Sequence, residues 1–193
     1  WSDKQARMPF IYVQIAPYEN KNADDIDAAL LMEAQIDASE RIANSHIVCT
    51  TDTGEKSCIH PSDKQTVGRR IAAQALRRSY GVKLPDDAVE GVRFERAEFA
   101  NGQATVTFRN AKYGLTPQGE AIAGFELAGA DGIFHPAEGR IVKSRPQVTA
   151  TSPEVPEPVA VRYAFRNFIP TNLHNTLGQA VLPFRSDRPA ANR

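Results

Sequence analysis

The sequence predicts an α/β fold: a βαβα segment over residues 1–84, followed by an all-β sandwich over residues 85–193. Three observations carry this. Apolar residues in the first part recur with strand and helix periods, the pattern shifts to short alternating runs after Val82-Lys83-Leu84-Pro85, and Asn101-Gly102 marks a hairpin because both residues tolerate positive φ.

Pro9 to Ile15 is a nearly continuous apolar run rich in β-branched and aromatic side chains, as expected of a strand covered on both faces. A helix is predicted from Asp25 to Ile42, with Leu31, Ala34, Ala38 and Ile42 as its apolar stripe and Glu33, Asp37, Glu40 and Arg41 outside it. His46 to Thr50 reads as a second strand. In the helix that follows, Ser62-Asp63-Lys64-Gln65 has the form of a capping box, Val67, Ile71, Ala75 and Leu76 form the inner face, and Gly81 is the stop. The β-α-β-α order implies parallel strands, yet two strands are too few for a doubly wound sheet, so further strands are expected from elsewhere.

In the second part, Val92 to Phe99 and Ala104 to Phe108 flank the Asn101-Gly102 turn, and Ile122 to Leu127 is joined to Ile133-Phe134 through Gly129-Ala130-Asp131-Gly132. Gly139 to Lys143, Gln147 to Ala150 and Val159 to Phe165 complete a series of short strands, which reads as a sandwich. No repeat of solenoid period is present.

Lys and Arg together number 23, as do Asp and Glu, so no global field favours nucleic acid or an anionic membrane. Hydrophobic residues make up 41%, enough for a sizeable core, and no apolar run approaches the ~20 residues of a membrane span. The chain opens without Met at Trp1-Ser2-Asp3-Lys4, directly ahead of a strand, and is read as starting within a larger protein. Cys49 and Cys58 bracket a polar loop. Either a disulfide ties that loop, which would imply an oxidising compartment, or the two are separate buried thiols.

His60, in Ser57-Cys58-Ile59-His60-Pro61, falls between a strand and a helix start, on the edge where open α/β sheets bind ligands. The positive end of the helix favours a neutral ring able to take a proton, so His60 is the candidate general base; the competing reading is a histidine that only bonds its loop. No Gly-x-Ser-x-Gly, phosphate loop or His-Glu-x-x-His is present to supply a partner. His135 and His174 read as loop-bonding groups with no metal-ligand cluster around them. Arg69, Arg70, Arg77 and Arg78 read as a solvated helix face, and Gln14 as either a pocket residue or a structural hydrogen-bonding group.

Pro9-Phe10-Ile11-Tyr12-Val13-Gln14-Ile15-Ala16-Pro17-Tyr18, Ala29-Leu30-Leu31-Met32-Glu33-Ala34-Gln35 and Ile59-His60-Pro61-Ser62-Asp63-Lys64-Gln65 together resemble motifs of the sialate O-acetylesterase family, SGNH-type carbohydrate esterases. Gly124 to Gly132, Pro158 to Ala164 and Pro183 to Asp187 are similar to its C-terminal β-rich region. The resemblance implies the C-terminal βαβα portion of a flavodoxin-like, parallel-sheet SGNH domain followed by a β-sandwich. It also implies a metal-free and cofactor-free serine esterase, secreted or periplasmic, that removes O-acetyl groups from sialic acid or from plant polysaccharides such as xyloglucan or xylan. His60 would be its catalytic histidine. The nucleophilic serine would lie on an N-terminal fragment of the same protein, held as a partner. Many such esterases carry an aspartate two or three positions before the histidine; here those positions are Cys58 and Ser57, leaving Asp52 and Glu55 as the nearest acids or a backbone carbonyl as the orienting group. The rival reading is a non-catalytic carbohydrate-binding β-sandwich module attached to an inactive α/β fragment. Such modules present aromatic platforms, for which the candidates are Trp1, Tyr113, Tyr163, Phe165 and Phe168.

Overall fold

A computed structural model describes residues 8–19 and 25–188; Trp1 and the rest of the opening Trp-Ser-Asp-Lys lie outside them. The strands are β1 (Phe10–Val13), β2 (Ser45–Val48), β3 (Arg93–Ala100), β4 (Gln103–Arg109), β5 (Leu115–Thr116), β6 (Ile122–Ala128), β7 (Phe134–Ile141), β8 (Gln147–Thr151), β9 (Ala160–Tyr163), β10 (His174–Asn175) and β11 (Phe184–Arg185). The helices are α1 (Asp27–Arg41), α2 (Lys64–Arg78) and the single turn α3 (Asp86–Val89).

The expected parallel, flavodoxin-like sheet followed by a sandwich is not what forms. A seven-stranded sheet in the order β11-β9-β6-β7-β8-β4-β3 dominates, and all its pairings are antiparallel. Among the strands named above, parallel pairing is confined to β1 with β2, joined by the α1 crossover that parallel strands require. Twist curls the large sheet until its edges meet, giving a nearly closed barrel rather than two stacked layers. Val92, just before β3, bridges Val181, just before β11: its N–H donates to Ala180 O at 2.9 Å and its carbonyl accepts from Leu182 N at 2.9 Å. Phe94 of β3 stacks on Phe184 of β11 with ring centroids 4.5 Å apart.

Alternation along the strands fills this barrel. Val106, Phe108, Phe125, Leu127, Val148, Val161 and Tyr163 point inward and are buried. The hairpin at Asn101-Gly102 forms as expected, with φ of 54° and 73°. Gly139 faces Phe125 so closely that a Cβ there would lie 2.8 Å from the ring. Of Gly139 to Lys143, read from sequence as a separate strand, the residues up to Ile141 are the end of β7, and the short β5, β10 and β11 carry too few residues to show a period.

The helices form where periodicity puts them, but each turns a different face inward. In α1 the buried residues are Ala28, Ala29 and Met32, while Leu31 is half exposed. Glu33, expected outside, reaches the barrel and pairs with Arg185 at 2.9 Å. In α2 the buried residues are polar, Arg70 and Gln74, and Ile71 and Leu76 are exposed. β1 is likewise not covered on both faces: Phe10 is 65% exposed, because β2 is its sole strand neighbour among the described residues.

Candidate active site

The loop between β2 and α2 carries His60, and a set of bonds fixes its root. Thr50 Oγ1 donates to Gln14 O at 3.0 Å, and Thr50 N donates to Gln14 Oε1 at 3.3 Å. Gln14 is therefore a structural group at the end of β1, buried with its Nε2 unpartnered. Thr53 N and Oγ1 both return to Thr50 O at 3.1 Å, closing a turn over residues 50–53. Gly54 then passes against Pro17, where a Cβ would lie 2.3 Å from the proline carbonyl, so no larger residue fits without moving backbone.

The outer loop is held by Glu55, whose Oε1 accepts from Ser62 N at 2.6 Å. That bond and the Ser62 hydroxyl keep the Glu55 carboxyl below its ordinary range. The helix cap differs from the capping box expected at Ser62: Asp63 is the N-cap, its Oδ1 accepting from Thr66 N at 3.0 Å. The Ser62 N–H, which the Gln65 side chain would need to complete a capping box there, is taken by Glu55. Between these anchors His60 is exposed at the loop surface, and among the described residues its ring makes no hydrogen bond. Cys49 and Cys58 are free thiols: Cys49 is buried, with Sγ 3.2 Å from Thr51 Oγ1, and Cys58 Sγ donates to His60 O at 3.4 Å. Burial pushes the Cys49 thiol up, so it is inert.

Neither acid considered as the orienting group touches His60. Glu55 is taken by Ser62, and Asp52 belongs to a separate cluster. Arg70 grips Asp52 with two bonds, Nη1 to Oδ1 at 2.6 Å and Nη2 to Oδ2 at 2.8 Å, and also donates to Cys49 O and Gly178 O, each at 2.9 Å. His174 Nε2 lies 2.9 Å from Asp52 Oδ2. Burial works against the ionised carboxylate, but the Arg70 and His174 bonds outweigh it and hold Asp52 well below the usual carboxylate range. Sequence reading missed this cluster. Arg70 flanks the supposed apolar stripe of α2, three positions after Val67, where an arginine reads as solvated, and nothing local to position 174 points to position 52.

The remaining histidines are occupied elsewhere. His174 Nδ1 faces Asn172 O at 3.1 Å, so both of its nitrogens are engaged and it has no lone pair free to take a proton from a nucleophile. His135 Nδ1 pairs with Glu154 at 3.0 Å on the far rim of the barrel. His46 is held neutral by burial and by Arg78. No cluster of metal-binding side chains occurs among the described residues, and no helix among them is long and apolar enough to cross a membrane. Of the candidate platform aromatics, Tyr163 and Phe165 are core residues, Phe168 is half-buried and Tyr113 is exposed.

No family model matches this chain, and no curated protein matches it. A solved structure does. The chain is similar to the crystal structure of a carbohydrate acetylesterase from Xanthomonas citri, with a TM-score of 0.82 and 33% identity over 94% of its residues. It spans 41% of the length of that protein.

Proposed function

We propose that this chain serves a serine-type carbohydrate O-acetylesterase in which His60 is the general base. The observation that carries the reading is the likeness to the Xanthomonas citri acetylesterase across 94% of this chain. The exposed, unbonded imidazole of His60 on a loop anchored at both ends supports the assignment of the base.

In this reading His60 takes the proton of a serine hydroxyl as its oxygen attacks the acetyl carbonyl. The proton then passes to the departing sugar oxygen, leaving an acetyl-enzyme that water hydrolyses to acetate. The serine is assigned to a companion segment of the same protein, in keeping with this chain spanning 41% of the length of the acetylesterase it is similar to. The exposed Met8, Phe10 and Val13 offer that segment an apolar seat along β1. The substrate class is an acetylated sugar, with O-acetyl sialic acid and acetylated xyloglucan or xylan as the compounds to compare. Of the four described aromatic candidates for the binding-module alternative, Tyr163 and Phe165 are core and only Tyr113 is exposed, too few for an aromatic platform.

The test is acetate release by the intact protein from these acetylated sugars, with and without His60→Ala. Loss of a general base costs about 100-fold or more in kcat/KM, so near-normal turnover by His60→Ala would remove His60 from the mechanism. No acetate release by the wild-type protein from any of the sugars would remove the esterase reading itself.

A further inference from the structure

The His60 imidazole has no hydrogen-bonded partner among the described residues, so its place is set by the backbone that carries it. That backbone is a short excursion from Glu55 to Ser62, which leaves the turn at residues 50–53 and returns at the cap of α2. The Glu55 side chain joins its two ends. Its Oε1 accepts from Ser62 N at 2.6 Å, seven positions on, a short bond of the kind an ionised acceptor makes.

The other bonds of this loop each act on one side of it. On the incoming side, Cys58 N donates to Glu55 O at 3.3 Å, and Glu19 N donates to Lys56 O at 2.8 Å, which ties the turn to the segment after β1. On the outgoing side, Ser62 O accepts from Lys64 N at 2.8 Å, Asp63 caps α2, and Pro61 is buried. Pro61 also keeps the His60 backbone extended, because the pyrrolidine ring crowds the residue before it. Cys58 Sγ, two positions from His60, donates to the His60 carbonyl and not to the ring. His60 therefore stands between two fixed sides, and the Glu55–Ser62 bond sets how far apart those sides are.

We infer that Glu55 is the positioning residue for His60: by clasping the Ser62 N–H, its carboxylate fixes where the imidazole stands relative to the reacting ester. The consequence for rate rests on the esterase reading, in which a misplacement of about 1 Å can cost about 100-fold. Because the clasp lies at the surface, local order can be lost while the barrel stays folded. Hydrogen bond and charge are separable here. A glutamine oxygen accepts the same bond from Ser62 N without carrying a charge beside the start of α2.

The experiment compares the intact protein with Glu55→Ala and Glu55→Gln, by amide relaxation of the His60 loop and by acetate release from the acetylated sugars, with Tm as the check on folding. In the wild type and in Glu55→Gln the His60 amide should be rigid, with an order parameter of about 0.85, and in Glu55→Ala it should drop below about 0.6. Glu55→Ala should lower kcat by about 10- to 100-fold with KM unchanged, and Glu55→Gln should recover most of that loss. In a His60→Ala background, Glu55→Ala should cost nothing further, because the clasp acts only through that ring. If Glu55→Ala does not fold, Glu55→Asp, whose carboxylate falls one methylene short of Ser62, is read for the same losses. An unchanged order parameter or near-normal kcat in the folded variant, a Glu55→Gln as slow as Glu55→Ala, or a further loss on top of His60→Ala would each overturn the inference. A wild-type protein that releases no acetate defeats the esterase reading, and the order parameters then decide by themselves whether Glu55 holds His60 in place.

Discussion

A histidine that takes a proton must keep a lone pair free, and bonding decides which of the four histidines here can do so. His174, His135 and His46 are paired or buried, and His60 alone combines exposure with an unbonded ring among the described residues. Local sequence could place His60 on the loop between a strand and a capped helix, because both elements are themselves local. The fate of Asp52 could not be read that way. Its partners lie 18 and 122 positions away, so an acid near His60 in sequence is spent on a different task in space. Removing it should be costly, because the Arg70 side chain, 5% exposed, would be left as a buried charge with half its partners gone. Asp52→Asn should lower the unfolding free energy by about 3 kcal/mol in denaturant titration near neutral pH. The sign with pH follows from the depressed carboxyl. Its stabilisation is present above the unfolded aspartate value of about 4 and is lost as pH falls through the lower folded value, so wild type and Asp52→Asn should converge in strong acid.

At the scale of elements, period and phase separate. The 3.6-residue period locates α1 and α2 to within a few residues, since helical spacing is a property of the chain itself. Which side turns inward depends on what lies opposite. α1 buries Ala28, Ala29 and Met32 because small residues let it approach β2, and α2 buries Arg70 and Gln74 because Asp52 and the carbonyls of Cys49, Gly178 and Val89 accept from them. No hydrophobicity scale would place an arginine and a glutamine on an inner face. The loop between β2 and α2 depends on a different local constraint, the passage of Gly54 against Pro17. Gly54→Ala should force the two loops apart and cost about 1–3 kcal/mol of overpacking, seen as a lower Tm. Gly68→Ala, where nothing lies within reach of a Cβ in an exposed stretch of α2, should be neutral or slightly stabilising by the same measurement.

At the scale of the molecule, alternation of inward and outward residues was legible strand by strand, and the Asn101-Gly102 hairpin with it. Sandwich and barrel share that alternation, so it cannot distinguish them. What decides is pairing between distant strands, here the bridge of Val92 to Val181 and the stacking of Phe94 on Phe184. Phe184 also meets Phe108, Phe125 and Tyr163 edge-on or stacked, which makes one side chain on a two-residue strand the plug of the whole barrel. Phe184→Ala should therefore destabilise the protein by about 3–5 kcal/mol in equilibrium unfolding, far more than truncation of the exposed Tyr80. The same closure sets a timetable for synthesis. A ribosome emits β3 and β4 long before β11, so the first edge of the sheet waits, unpaired and with its aromatic residues uncovered, until the last strand emerges. Folding of this chain is thus tied to completing translation of its final strands, and a stall before Val181 would leave an open, adhesive intermediate instead of a smaller stable one.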